Sequence, residues 1–133
     1  MTYLLDANVL IAMGYTRHQF HKRVGAWISS ERSGKELAFA TCAITELAYV
    51  RAGAQAGYFV DVATAVRALS QLKRNKLIPF EFLPDDLRIE LLPRWVKTPR
   101  QTTDGHLVAL AAHHGTRLAT LQKGIPGAFL IPG

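Results

Sequence analysis

Short apolar runs take turns along this chain with segments whose apolar residues recur at helical spacing. Residues 2–5 are apolar and stop at Asp6, which reads as a buried strand. Residues 7–13 make one or two helical turns. Residues 19–33 place Phe20, Val24, Trp27 and Ile28 at helical spacing, and Ser33-Gly34 ends that helix. Residues 37–40 form a second short strand. A helix over 43–51 follows, ended near Gly53, and another over 60–73 carries Val62, Val66 and Leu69 on one face. Residues 77–82 read as a third strand. Pro79 has no amide to give to a ladder and points to an edge position. A short helix is expected over 85–92, with Pro84 just before it. The strongest helical pattern covers 103–114, with Gly115 as its C′ residue. Residues 117–121 and 128–131 complete the set as strands. Strands alternating with helices predict an α/β fold, a mainly parallel sheet with helices on both faces. No repeat, low-complexity stretch or linker divides the chain, so residues 1–133 are expected to form one domain.

Composition narrows the class. The chain is 49% hydrophobic and 20% charged, enough to bury a core. No apolar run is long enough to cross a bilayer, and Met1-Thr2-Tyr3-Leu4-Leu5-Asp6 has neither the basic start nor the long apolar region of a signal peptide. Cys42 is the single cysteine, which rules out an intrachain disulfide and reads as a small core residue. A cytoplasmic location without a membrane is the expectation. Sixteen Lys and Arg against ten Asp and Glu give +6, and no acid lies beyond Asp104. If three acids line a pocket, the rest of the chain carries +9. A cationic body around an anionic pocket suits a polyanion met through a metal, although charge alone also describes a basic protein with no such partner.

Three acids stand where the topology brings them together. Asp6 follows the first strand, Glu46 lies on the helix after the second, and Asp104 opens the late helix. Ligands of open parallel sheets bind at the carboxyl ends of the strands. Carboxylates crowded there repel and tend to stay protonated, and a divalent cation removes that conflict. A few carboxylates around such an ion are the equipment of phosphodiester hydrolysis. Each acid taken singly has a plainer use. Asp6 could N-cap the following helix, Asp104 could face a helix dipole, and Glu46 could be solvated.

The same residues carry a resemblance to the PIN-domain family and its VapC-type toxins. Tyr3-Leu4-Leu5-Asp6-Ala7-Asn8-Val9-Leu10-Ile11 resembles the first motif and Thr41-Cys42-Ala43-Ile44-Thr45-Glu46-Leu47 the second. Thr103-Asp104-Gly105-His106-Leu107-Val108-Ala109-Leu110-Ala111 resembles the third, and Leu118-Ala119-Thr120-Leu121-Gln122-Lys123-Gly124 aligns with the fourth. The resemblance implies a three-layer α/β/α fold with about five parallel strands. It implies a Mg²⁺- or Mn²⁺-dependent endonuclease that cuts RNA, a small antitoxin as partner, and a homodimer. Asp6 and Asp104 occupy the positions of the direct metal ligands, and Glu46 that of the glutamate acting on the metal or its waters. Asn8 and Thr45 match polar positions that support the acids, and serve equally as capping or turn residues. The chain departs from the pattern at Gln122, where the fourth motif usually has an acid. An amide there can orient a water but adds no charge for a second metal.

That departure keeps a second reading open, a weakened PIN-like module that binds RNA or a partner without cutting. A phosphotransfer protein using Asp6 as nucleophile would want Asp-x-Asp, and Asn8 holds the second place. His18 with His21 and His113 with His114 lack the further ligands of a closed zinc site. Arg51 could hold a phosphate or pair with the acids. Arg94-Trp95-Val96-Lys97-Thr98-Pro99-Arg100 combines three cations with an indole, which suits either RNA contact or a packed Trp under a solvated loop.

Overall fold

The computed structural model describes residues 1–33 and 36–133. Five strands, β1 (Thr2–Leu5), β2 (Ala38–Thr41), β3 (Phe80–Phe82), β4 (Arg117–Thr120) and β5 (Phe129–Leu130), form one sheet in the order β3-β2-β1-β4-β5. Every pairing is parallel. Side chains alternate across the pleat, and the core divides accordingly. Tyr3, Leu5, Phe39 and Ala119 face one side, where they meet α1 (Ala7–Gly14), α2 (His21–Arg32), α3 (Ala43–Gln55) and α4 (Val62–Lys73) through Val9, Leu10, Trp27, Tyr49 and Leu69. Leu4, Ala40 and Leu118 face the other side and meet Leu107, Leu110 and Ala111 of α5 (Thr102–His113). The result is the expected three-layer α/β/α arrangement. Trp27 anchors the first layer, edge-on to Tyr3 at 5.2 Å and stacked on Phe39 at 5.7 Å between ring centres.

The chain first builds outward from β1 through β2 to β3, then crosses to the opposite side of β1 for β4 and β5. Strand order therefore reverses between β1 and β4, and the crevice beyond their carboxyl ends is where such sheets take ligands. Gly115 stands at φ +68° just past α5, and Thr116 N–H reaches back to Ala111 O at 2.8 Å, a Schellman ending.

The edge position of β3 is as expected, but the strand is shorter than 77–82. Asn75 Oδ1 accepts from the amides of Leu77 and Ile78 at 2.9 and 2.8 Å, which turns the chain before pairing begins. The helix expected over 85–92 is absent, and only a 3₁₀ turn at Ile89–Leu91 forms. Asp85 spends its carboxylate on Leu87 N–H at 3.1 Å and His106 Nε2 at 2.6 Å, a turn and a tether that compete with helix. In the opposite sense, α3 runs past the expected stop at Gly53. That glycine makes room for Phe59, since a Cβ there would stand 2.7 Å from the ring. Helix α4 begins at Val62, not residue 60, because Asp61 accepts from Thr64 N–H at 2.8 Å and caps it. Helix α2 ends with Ser33 as its cap, while the Gly34 half of the expected stop lies outside the described residues.

Candidate functional site

Asp6 closes β1 and opens α1. Its own amide continues the ladder to Ala119 O at 3.0 Å, and its carbonyl accepts from the amides of Val9 and Leu10. The backbone is thus fixed on both sides, and the carboxylate is aimed by it. Oδ1 accepts from Ala7 N–H at 2.8 Å, the N-cap bond, and Oδ2 accepts from Thr120 Oγ1 at 2.9 Å. The capping and the functional readings of Asp6 therefore coexist in one side chain. Burial pushes the Asp6 carboxyl above its usual range, the donations from Thr120 and Ala7 pull it back, and the nearby charge of Asp104 raises it again.

Asp104 lies in the first turn of α5, half-buried. Desolvation raises its pKa also, countered by Gln122 Nε2, which stands 3.5 Å from Oδ2. Gln122 follows β4 and, in turn, its backbone amide donates to Thr120 Oγ1 at 3.1 Å. Asp6, Asp104 and Gln122 therefore gather at the strand-order reversal between β1 and β4, with the buried Thr120 hydroxyl joining Asp6 to Gln122 and the Gln122 side chain reaching Asp104.

Glu46 has a different environment. Its Oε2 accepts from Thr41 Oγ1 at 2.5 Å and from Lys73 Nζ at 2.7 Å, an ion pair to α4 that leaves the carboxylate about three-quarters buried. Thr45 does not touch an acid. Its buried hydroxyl donates to Cys42 O at 3.1 Å and accepts from Cys42 N–H at 3.0 Å, which fastens the first turn of α3 and places Glu46 only through the backbone. Asn8 sits two residues after Asp6, in the first turn of α1, and its Oδ1 is buried with no hydrogen-bond partner among the described residues. An orphaned amide oxygen of this kind costs energy until a cation or a donor meets it.

Among the described residues no three His, Cys, Asp or Glu side chains are arranged to hold a metal. The available set is two carboxylates with raised pKa values, the amides of Gln122 and Asn8, and solvent. Those are hard oxygen donors, and one or two carboxylates completed by water suit a Mg²⁺-like ion. The residues present therefore fit one such ion, with Asp6 and Asp104 as holders.

Three contributing residues were not singled out from the sequence: Thr120, Thr41 and Lys73. Thr41 and Thr120 are the last residues of β2 and β4, both buried, each donating to a site acid from a neighbouring strand end. A threonine ending an apolar strand beside a site acid is the signal that would have found them. Among the weaker candidates, His21 Nδ1 bonds Ala12 O at 2.7 Å and His114 Nε2 bonds Pro84 O at 2.9 Å, both structural uses. Arg51 is exposed and makes no ion pair among the described residues. Cys42 is fully buried, as expected.

The PIN domain model matches residues 3–126. Ribonuclease VapC39 of Mycobacterium tuberculosis is 35% identical over 130 residues, covering 94% of this chain and 91% of the relative. Ribonuclease VapC29 of the same organism is 37% identical over 130 residues, covering 94% and 89%. The crystal structure of VapBC2 from Rickettsia felis bound to a DNA fragment from their promoter superimposes with a TM-score of 0.60 over 98% of this chain and 97% of that one, at 16% identity, a likeness of fold.

Proposed function

The chain belongs to the PIN-domain family, in its VapC branch, and from that premise we propose that it is a metal-dependent endoribonuclease, the toxin of a toxin–antitoxin pair. The observation that carries the proposal is the meeting of Asp6 and Asp104 at the strand-order reversal, where Asp6 feels the charge of Asp104 and burial pushes both carboxyls towards protonation. Mg²⁺ or Mn²⁺ is the cofactor we assign, held by Asp6 and Asp104 with Glu46 in support. When bound, it supplies an activated water and stabilises the charge that grows on the phosphate.

The remaining work falls to the chain. Thr120 orients Asp6 and favours its ionised form against the effect of burial by donating to Oδ2, and Ala7 N–H fixes the other oxygen. Gln122 holds Asp104 by its amide and can position a water, and Asn8, in the first turn of α1, has a buried side-chain oxygen without a partner among the described residues. The cationic surface draws the RNA backbone towards the anionic crevice.

We assign a small antitoxin as the partner, and its docking surface to the groove between α3 and α4. Exposed Leu47, Val62, Val66 and Phe82 line a cavity of about 440 Å³ there, and Glu46 with Lys73 closes its polar end. An apolar helix followed by a cationic side chain matches that layout, since the cation would meet Glu46. A homodimer is part of the same assignment.

Two features favour the second reading, a PIN-fold module that binds without cutting. Gln122 replaces an acid, and Lys73 neutralises Glu46. Calorimetric titration with Mn²⁺ and an RNA cleavage assay in the same buffer decide between them. The nuclease reading expects metal binding and cleavage, both lost in Asp6→Asn. RNA binding with neither metal uptake nor cleavage would establish the module instead.

A further inference from the structure

Beside Asp104 lies a second cavity, of about 310 Å³, lined by Asp104 and Gln122 together with Trp95 and Arg100. Its lining holds one aromatic ring and one guanidinium among the described residues. The two tryptophans of the chain have different surroundings. Trp27 is buried in an aromatic cluster with Tyr3, Phe39 and Phe129. Trp95 is partly exposed and contacts no other ring and no cation among the described residues, so its face is not used in packing aromatics.

The loop that carries Trp95 is held rigid without its help. Val96 packs onto Gly105 of α5 so closely that a Cβ on that glycine would lie 2.2 Å from Val96 Cγ2. Gln101 Oε1 accepts from the amides of Lys97 and Thr98 at 2.7 and 3.1 Å, and Thr102 Oγ1 donates to Pro99 O at 2.7 Å. The segment therefore reaches the site edge as a preformed ledge, packed through Val96 onto Gly105, the residue after Asp104. Arg94, Lys97 and Arg100 are exposed along it and make no ion pair among the described residues.

We propose that this cavity is a nucleobase subsite: Trp95 stacks an unpaired base of the RNA next to the scissile phosphate at Asp104, and Arg100 holds the adjoining phosphate. The inference rests on the ribonuclease reading and adds to it a residue-level subsite, which needs an unpaired base at the position beside Asp104. Bases inside a duplex are stacked on one another and cannot reach an indole. A partly exposed indole with no aromatic or cationic partner among the described residues, a guanidinium lining the same cavity and a rigid support together make the ledge suited to stacking.

The test uses a labelled single-stranded oligoribonucleotide and a blunt RNA duplex, with binding followed by fluorescence anisotropy in the Asp6→Asn background and cleavage followed in the otherwise native chain. Trp95→Ala should weaken single-strand binding by about 5- to 150-fold, the range of one base–aromatic stack. Trp95→Phe should restore most of it, and duplex binding should be unchanged by either. Arg100→Ala should lower the slope of affinity against salt by about one phosphate contact. Unchanged single-strand binding by Trp95→Ala would overturn the subsite while leaving the nuclease reading intact if the native chain cleaves. Equal losses for strand and duplex, with no rescue by Phe, would also overturn it, because they mark a damaged loop. If the native chain neither binds nor cuts any RNA, the ribonuclease reading falls, and the subsite with it.

Discussion

Replacing Thr120 by Val removes one hydroxyl and almost no volume. That hydroxyl donates to a partly buried carboxylate at 2.9 Å and accepts from the Gln122 backbone amide at 3.1 Å. The loss to be expected is that of a hydrogen bond to a charged group, about 1.5–3 kcal/mol. At roughly 4 °C of Tm per kcal/mol for a chain of this size, the melting point should fall by about 6–12 °C at neutral pH. The effect has a pH signature. Burial already holds the Asp6 carboxyl above its ordinary value, and Thr120 is the largest influence pulling it down, so the variant raises it further. A carboxyl with a raised folded-state pKa favours the fold most when protonated. That contribution is complete below the unfolded-state value and is lost as pH rises through the folded-state value. The deficit of Thr120→Val should therefore be small in acid, widen as pH climbs through the carboxyl range, and level off at neutrality. Urea denaturation of both proteins across that range measures it. A deficit of equal size at every pH, or one below about 0.5 kcal/mol at neutral pH, would refute the role given to Thr120.

Asp104→Asn should abolish metal-dependent RNA cleavage and, in metal-free buffer, leave Tm unchanged or higher, because a half-buried charge is removed; a lower Tm with cleavage retained would contradict both parts. Gln122→Asp should increase metal affinity and cleavage rate, read by titrating Mn²⁺ into both proteins, and superimposable curves would make Gln122 a bystander. Lys73→Met frees Glu46 from its 2.7 Å ion pair, so Mn²⁺ affinity should rise by up to about fivefold, the worth of a partly exposed pair; calorimetry that finds no rise would separate Glu46 from the metal.

The fold was readable where one period dominated. The Leu4 and Leu118 strands and the α5 helix follow simple apolar patterns, and Pro79 announced the sheet edge correctly. The failures have local causes. Gly53 looked like a stop because its reason for being glycine, the ring of Phe59, comes from six residues further on. Residues 85–92 looked helical because the bond from Asp85 to His106 joins positions distant in sequence. At the site, Asp6 and Asp104 could be picked out because strand ends and helix starts predict where side chains converge. The pairing of Glu46 with Lys73 could not, since it depends on how α4 lies across α3. Thr45 drew attention by sitting next to Glu46, yet Thr41, five residues before, makes the contact, because a helix turns adjacent residues to different faces.

The two margins of the sheet limit how this protein can join another copy of itself. One margin is β3, three residues long and preceded by a proline, and the other is β5, two residues long. Neither offers more than a few free amides and carbonyls to a neighbouring strand, so a continuous intermolecular sheet has little to build on, and a destabilised chain has little template for strand-wise aggregation. Any stable assembly must instead be made side chain to side chain across the helical layers, where affinity depends on a few apolar positions and a single charged substitution can dissolve it.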